Sequence, residues 1–187
     1  EADGRFDDTL FIYIVGDNGA SAEGGLEGSL SYMGKIQGLP ETQAARIAGI
    51  DRIGGPDAHA HYNAGWAWAM DTPFQWTKTV ASHLGGTRNP LVVTWPRRIK
   101  DQGGLRSQFG HVNDIVPTIL EITGIKTPVE VNGVPQKPIN GTSLVYTFDD
   151  ANAAERHRTQ YFEVFGHRAI YHDGWMASAF HSRLPWQ

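Results

Sequence analysis

Residues 10–19, Leu-Phe-Ile-Tyr-Ile-Val-Gly-Asp-Asn-Gly, restrict this chain more than any other stretch of it. The apolar run stops abruptly at Gly16, and two oxygen-bearing side chains follow. A strand without polar alternation is expected to be covered on both faces, as in a parallel sheet. Ligand sites in open α/β sheets lie just beyond the carboxyl ends of such strands. Asp17 and Asn18 therefore stand where a carboxylate and an amide oxygen can hold a hard cation. Taken alone, Asp17-Asn18-Gly19 is ordinary turn chemistry; the strand before it raises the reading to a site.

The rest of the chain supports an α/β reading. Pro90 to Pro96 encloses a second short strand, Leu91-Val92-Val93-Thr94-Trp95. Asn113 or Asp114 is expected to cap a helix with Ile115, Ile119 and Ile122 on one face. Pro117 is tolerated in its first turn, and Gly124 supplies the stop. Between the strands, residues 20–70 are rich in Gly, Ser and Ala, with a short helix expected over Glu41 to Ile50. So long a loop-dominated span points to a functional region, and the aromatics Tyr62, Trp66, Trp68, Phe74 and Trp76 argue against disorder. Pro128 to Gly141 reads as a punctuated connection. The tail then changes character. Three short strands are expected, at Tyr161–Phe165, Arg168–His172 and Trp175–Ala179, with turns at Gly166-His167 and Asp173-Gly174.

Composition removes several function classes. The 187 residues carry 16 basic and 20 acidic side chains, and no basic run exceeds Arg97-Arg98, so no nucleic-acid partner is expected. There is no cysteine, hence no disulfide, thiolate metal site or cysteine nucleophile within this chain. No apolar stretch approaches the roughly 18 residues of a membrane span. The amino-terminal residues run almost directly into a strand, which reads as a piece of a longer protein.

Beyond Asp17 and Asn18, whose donor chemistry suits Ca²⁺ or Mg²⁺, the candidates are cationic or aromatic. Lys78 has aromatic flanks in Pro73-Phe74-Gln75-Trp76-Thr77-Lys78, which can hold its stem so that the ammonium meets a bound anion. Arg88 either neutralises an anion or closes a structural ion pair, the latter being expected. His59 and His61 alternate on an extended segment; a place lining a substrate mouth is expected for His61 in preference to a zinc site, since no third soft ligand is near. His83 either approaches the same anion as Lys78 or packs locally. His111 is expected to make a local hydrogen bond, and His157, His167, His172 and His181 to be surface or turn residues. At least half of the group Trp66, Trp68, Phe74 and Trp76 is expected to be core, the alternative being an apolar wall for an aryl group.

These segments together resemble the sulfatases of the alkaline phosphatase-like superfamily. The strand ending Gly16-Asp17-Asn18-Gly19 is similar to a site segment of that family. So are Thr72-Pro73-Phe74 with the following Lys78, the turn from Gly85 into the strand ending Trp95-Pro96, and the helix Asp114 to Ile125. The block His61 to Met70 and the tail Gln160-Tyr161-Phe162-Glu163 resemble bacterial-type arylsulfatases more narrowly. The order is that of the family over nearly the whole chain.

The resemblance implies a fold: the C-terminal part of a mixed sheet flanked by helices (residues 1–150), then part of a small antiparallel sheet (151–187). It implies Asp17 and Asn18 as calcium ligands and Lys78 as the lysine contacting the sulfate of a small sulfate ester. It also implies a formylglycine nucleophile made from Cys or Ser in a Cys-x-Pro/Ala-x-Arg motif. This sequence has no such motif, and the family's paired aspartates are missing; Asp7-Asp8 precedes the wrong strand. The expectation is a sulfatase piece without its nucleophile, inactive and prone to self-association by itself. A phosphomonoester or phosphodiester hydrolase of the same superfamily, and a non-catalytic binding domain on the same scaffold, are the rival readings.

Overall fold

A computed structural model of the protein describes residues 2–16, 19–182 and 184. Asp17 and Asn18 lie outside the described residues. In chain order the elements are β1 (Phe11–Ile14), α1 (Tyr32–Ile36), α2 (Gln43–Ala48), α3 (Ala64–Asp71), β2 (Leu91–Thr94) and α4 (Ile115–Thr123). They continue with β3 (Glu130–Val131), β4 (Val134–Pro135), β5 (Thr159–Val164), β6 (His167–His172) and β7 (Trp175–Ala179). β1 pairs with β2, β3 with β4, and β5, β6 and β7 form one sheet in that order. The architecture is mixed α/β, with short helices and small sheets.

Two compact units divide the chain. The first gathers the described residues of Glu1–Tyr13, Leu91–Gln160 and Tyr171–Met176. The second gathers those of Ile14–Pro90, Tyr161–Ile170 and Ala177–Gln187.

In the first unit, α4 starts from a short 3₁₀ turn, Val112–Asp114, and ends on Gly124, whose φ of 69° is the left-handed stop expected of it. The cap differs from the simple expectation. His111 accepts from the Asn113 amide through Nδ1 (3.4 Å), while the Asp114 carboxylate accepts from the His111 amide (2.8 Å). The His111 hydrogen bond is thus local, as its position suggested. In the 128–141 connection, β3 and β4 make an antiparallel hairpin around Asn132 and Gly133, with φ of 49° and 80°. Asn-Gly flanked by apolar residues is the strongest short hairpin signal, and here it turns what reads as a plain connection into a hairpin.

β1 corrects one expectation. The run over residues 10–15 forms a strand, but it is not covered on both faces among the described residues. Phe11 is 48% and Tyr13 64% exposed, and on β2 Leu91 and Val92 are 40% and 55% exposed. Among the described residues β1 pairs with β2 in a two-stranded sheet. Apolar composition records what a strand can bury; packing decides whether it is buried.

Three tail strands form close to the expected places, but β5 starts earlier, at Thr159, and the first turn is Phe165-Gly166, not Gly166-His167, which leaves His167 in β6. Phe165-Gly166 and Asp173-Gly174 all have positive φ (51°, 83°, 47° and 84°), the backbone of two-residue turns matched to strand twist.

Candidate functional site

The site is built in the second unit, where the chain leaves β1. Gly19 has a φ of 90°, and a Cβ there would lie 2.0 Å from the Gly85 carbonyl oxygen and 2.9 Å from the Lys78 nitrogen. Only glycine fits so close an approach in that conformation. The next residue ties the turn down at both ends. The Ala20 amide donates to the Asp71 carboxylate (2.9 and 3.2 Å), and the Lys78 amide donates to the Ala20 carbonyl (3.0 Å). Burial raises the Asp71 carboxyl above its ordinary range, opposed in part by the Ala20 hydrogen bond. The turn following Asp17 and Asn18 is therefore docked on the Lys78 segment, although 60 positions separate Asn18 from Lys78.

Lys78 rides on the best-buried stretch of this unit. Thr77, Val80, Ala81 and Ser82 are all buried. Gly85 and Gly86 let the coil close on itself, since a Cβ at Gly85 would meet the Trp76 carbonyl oxygen at 2.0 Å and one at Gly86 the Val80 carbonyl oxygen at 2.3 Å. Trp76 and Thr79, on either side of Lys78, adopt φ of 68° and 77°. Left-handed backbone at a β-branched threonine is uncommon and persists only where the surroundings over-determine it. The Lys78 backbone is thus fixed, while its side chain remains 30% exposed.

That ammonium lies 3.6 Å from Glu23 Oε2. The same carboxylate oxygen accepts from the Tyr32 hydroxyl (2.7 Å) and from the Ser21 hydroxyl (3.2 Å). Ser21 Oγ is in turn 2.9 Å from His61 Nε2. His61 Nδ1 lies 2.8 Å from the Tyr62 carbonyl oxygen, and Nε2 is the nitrogen turned to Ser21. The Tyr62 hydroxyl accepts from the Ser21 amide (3.0 Å), and the His61 ring packs between those of Tyr32 (5.2 Å) and Tyr62 (4.7 Å). Lys78 and His61 thus belong to one polar network through Glu23 and Ser21.

The charges in this network respond to one another. Burial pushes the Glu23 carboxyl up, but the Tyr32 hydrogen bond, the Lys78 charge and the hydrogen bonds from Ser21 and Lys78 together hold it below its ordinary value. Reciprocally, the hydrogen bond to Glu23 and then burial raise the Tyr32 phenol. Ser21, Glu23 and Tyr32 were not among the sequence candidates. They lie in a Gly-, Ser- and Ala-rich span with no periodicity, and nothing in their spacing separates them from loop polar residues.

His83 belongs to a different group. Its Nδ1 is 2.9 Å from Ser82 Oγ, and its ring approaches those of Trp76 (6.1 Å) and Phe180 (6.3 Å). Burial, followed by the nearby His167, keeps its imidazole below the ordinary histidine range. Trp76 stacks on Phe180 at 4.4 Å, and His167 packs against that ring from another side.

Several expectations are corrected. His157 is buried rather than at the surface, with Nδ1 2.8 and 2.9 Å from the two oxygens of Asp114. His167 is also buried and accepts from the His181 amide (3.1 Å), because β6 turns it inward. The Arg88 guanidinium lies 4.7 Å above the Phe74 ring. Trp66 and Trp68 are 63% and 43% exposed, since α3 buries its small residues Ala64 and Ala67 and turns the indoles outward. His59 and His61 flank Tyr32 on an extended segment that bridges to Ser31 and Ser29. Among the described residues, no three His, Asp or Glu side chains converge as metal ligands.

Comparison with known proteins follows the same segments. A family model described as Sulfatase matches residues 1–125. A Schizosaccharomyces pombe protein described as an uncharacterized sulfatase is 27% identical over 121 residues, covering 65% of this chain and 20% of that protein. An arylsulfatase of Klebsiella aerogenes is 25% identical over 141 residues, covering 75% of this chain and 28% of that enzyme. The chain therefore spans about a quarter of the length of these relatives.

Proposed function

This chain belongs to the sulfatase family, and from that premise we propose that it forms the Lys78 side of a sulfate-ester hydrolase site. The observation that carries the reading is the docking of the Gly19-Ala20 turn on Lys78, with the Lys78 amide 3.0 Å from the Ala20 carbonyl. An anion bound beyond β1 would meet the Lys78 ammonium, a compact charge on a stem whose backbone is fixed. There Lys78 neutralises charge on the sulfuryl oxygens, more strongly as it grows in the transition state. His61 lies one hydroxyl away from the Glu23 carboxylate and lines the approach; His83, beside Trp76 and Phe180, belongs to the apolar side, where an aryl group would pack.

Asp17 and Asn18 supply a carboxylate and an amide oxygen, a donor set that fits calcium and does not favour zinc. In this reading they would be two ligands of a Ca²⁺, which when bound would polarise the sulfate oxygens, with its remaining ligands supplied from outside this chain. Formylglycine has no precursor among these residues: there is no cysteine, and no serine stands in the x-Pro/Ala-x-Arg context. The nucleophile is therefore assigned to other sequence, and no step is drawn through it. The small antiparallel sheet after residue 150 is read as a C-terminal subdomain. The phosphatase and binding-domain readings have no comparable support.

The test uses the complete protein and 4-nitrophenyl sulfate. Lys78→Ala is expected to lower kcat/KM at least tenfold and to weaken competition by inorganic sulfate by a similar factor, about what loss of a charge-assisted contact removes. Unchanged constants for both would remove Lys78 from the site.

A further inference from the structure

A carboxylate beside a lysine assigned to an anion needs a reason, because unless it is held in one place it competes with the anion. Glu23 is held. One oxygen takes the Tyr32 hydroxyl at 2.7 Å and the Ser21 hydroxyl at 3.2 Å, and the same oxygen faces the Lys78 ammonium at 3.6 Å. Tyr32 is fixed in turn. Its amide donates to the His59 carbonyl (2.8 Å), and its ring lies edge-on to His59 and against His61. Ser21 is fixed by its amide on the Tyr62 hydroxyl (3.0 Å) and by Oγ on His61 Nε2 (2.9 Å). Both side chains of the Lys78–Glu23 pair are 30% exposed, so the pair is not sealed from solvent and an anion can approach it.

We propose that Glu23 is a positioning residue for Lys78: clamped by Tyr32 and Ser21, it holds the ammonium in one orientation, ready for a sulfate group. A lysine side chain otherwise samples many rotamers, and fixing it in advance removes that entropic cost from binding. Ion pairs at this exposure contribute little to stability, so orientation is the effect the pair is placed to deliver. The inference rests on the reading of Lys78 as the sulfate-contacting lysine, but the orientation itself can be measured without any substrate.

Two readouts on the complete protein separate these ideas. In the first, ¹³C relaxation of the Lys78 ε-methylene is compared between the unaltered protein and Glu23→Gln. Increased mobility in the variant is expected, and unchanged mobility overturns the inference whatever the activity. In the second, hydrolysis of 4-nitrophenyl sulfate and its inhibition by inorganic sulfate are compared. Glu23→Gln is expected to raise the sulfate inhibition constant about tenfold, in the range seen when groups that orient a site residue are removed. A lower inhibition constant would show that Glu23 opposes the anion, and would overturn the inference. Should Glu23→Gln fail to fold, Tyr32→Phe keeps the carboxylate and removes its clamp; it is expected to shift both readouts in the same direction by a smaller amount, and no shift in either overturns the inference. An unaltered protein that neither hydrolyses the ester nor binds sulfate defeats the proposed function alone, and the relaxation comparison then still decides the role of Glu23.

Discussion

Two buried or half-buried side chains show how the fold spends its polar groups. Asp114 is fully buried and accepts from the His111 amide (2.8 Å), the Thr142 amide (2.7 Å) and His157 Nδ1. It ties the start of α4, the 141–144 segment and the entry to β5 at one point. Removing it strands several buried donors at once. Asp114→Ala is expected to cost about 3 kcal/mol or more in urea denaturation, and His157→Ala less, since only one of the partners is then lost. Tyr171 gives a pH prediction. Burial, and then its hydrogen bond to Glu155, push the phenol from 10.0 up to about 12. A phenol raised on folding contributes stability that is complete below about pH 10 and is lost as pH climbs toward 12. Alkaline denaturation of Tyr171→Phe is expected to show a flatter decline over that window, and an identical profile would remove Tyr171 as a contributor.

Among the elements, the turn after β1 and the Lys78 coil matter most, because they are fitted backbone to backbone. Gly19 and Gly103 both have positive φ, but a Cβ at Gly103 meets nothing within 4 Å whereas one at Gly19 meets the Gly85 carbonyl at 2.0 Å. Gly103→Ala is expected to cost only the left-handed conformation, about 1–2 kcal/mol. Gly19→Ala is expected to cost more than Gly103→Ala by thermal denaturation and to impair hydrolysis as well, since it drives the turn off Lys78. Equal losses of stability would mean that the close approach relaxes freely. The hairpins illustrate the opposite case, where local chemistry suffices. Asp173-Gly174 reads as a turn in any context, and β6 and β7 formed around it where the tail pattern placed them. α3 was missed because its Trp, Met and Ala residues carry no amphipathic stripe, although Asn63 caps it through the Trp66 amide at 3.0 Å.

For the molecule as a whole, the apolar surface of β1 and β2 is the outstanding feature. Phe11, Tyr13 and Val92 stand 48%, 64% and 55% exposed on neighbouring strands. Single exposed apolar residues are ordinary, but a paired strand surface of this kind invites association. The 187-residue chain by itself is expected to self-associate in sedimentation velocity, and Phe11→Lys with Val92→Lys is expected to suppress it. A monodisperse monomer across a range of concentrations would show that the surface is not adhesive. No helix of the described residues is long and apolar enough to cross a membrane.

The sequence by itself determined what depends on neighbours along the chain: the strand over residues 10–15, the left-handed stop at Gly124, the tail hairpins, and the segments that identify the family. It also singled out Lys78 and His61, through flanking aromatics and alternation. Tertiary structure decided what depends on distant partners. Glu23 is indistinguishable from a loop carboxylate until Tyr32, Ser21 and Lys78 converge on it, and His157 reads as a surface histidine until Asp114 is placed beneath it. The burial of β1 lies beyond both, because apolar sequence states a capacity to be covered while only a packed layer supplies the cover. Local backbone chemistry is written in adjacent residues; a hydrogen-bond network is a property of the contacts, and those exist only once the chain has closed.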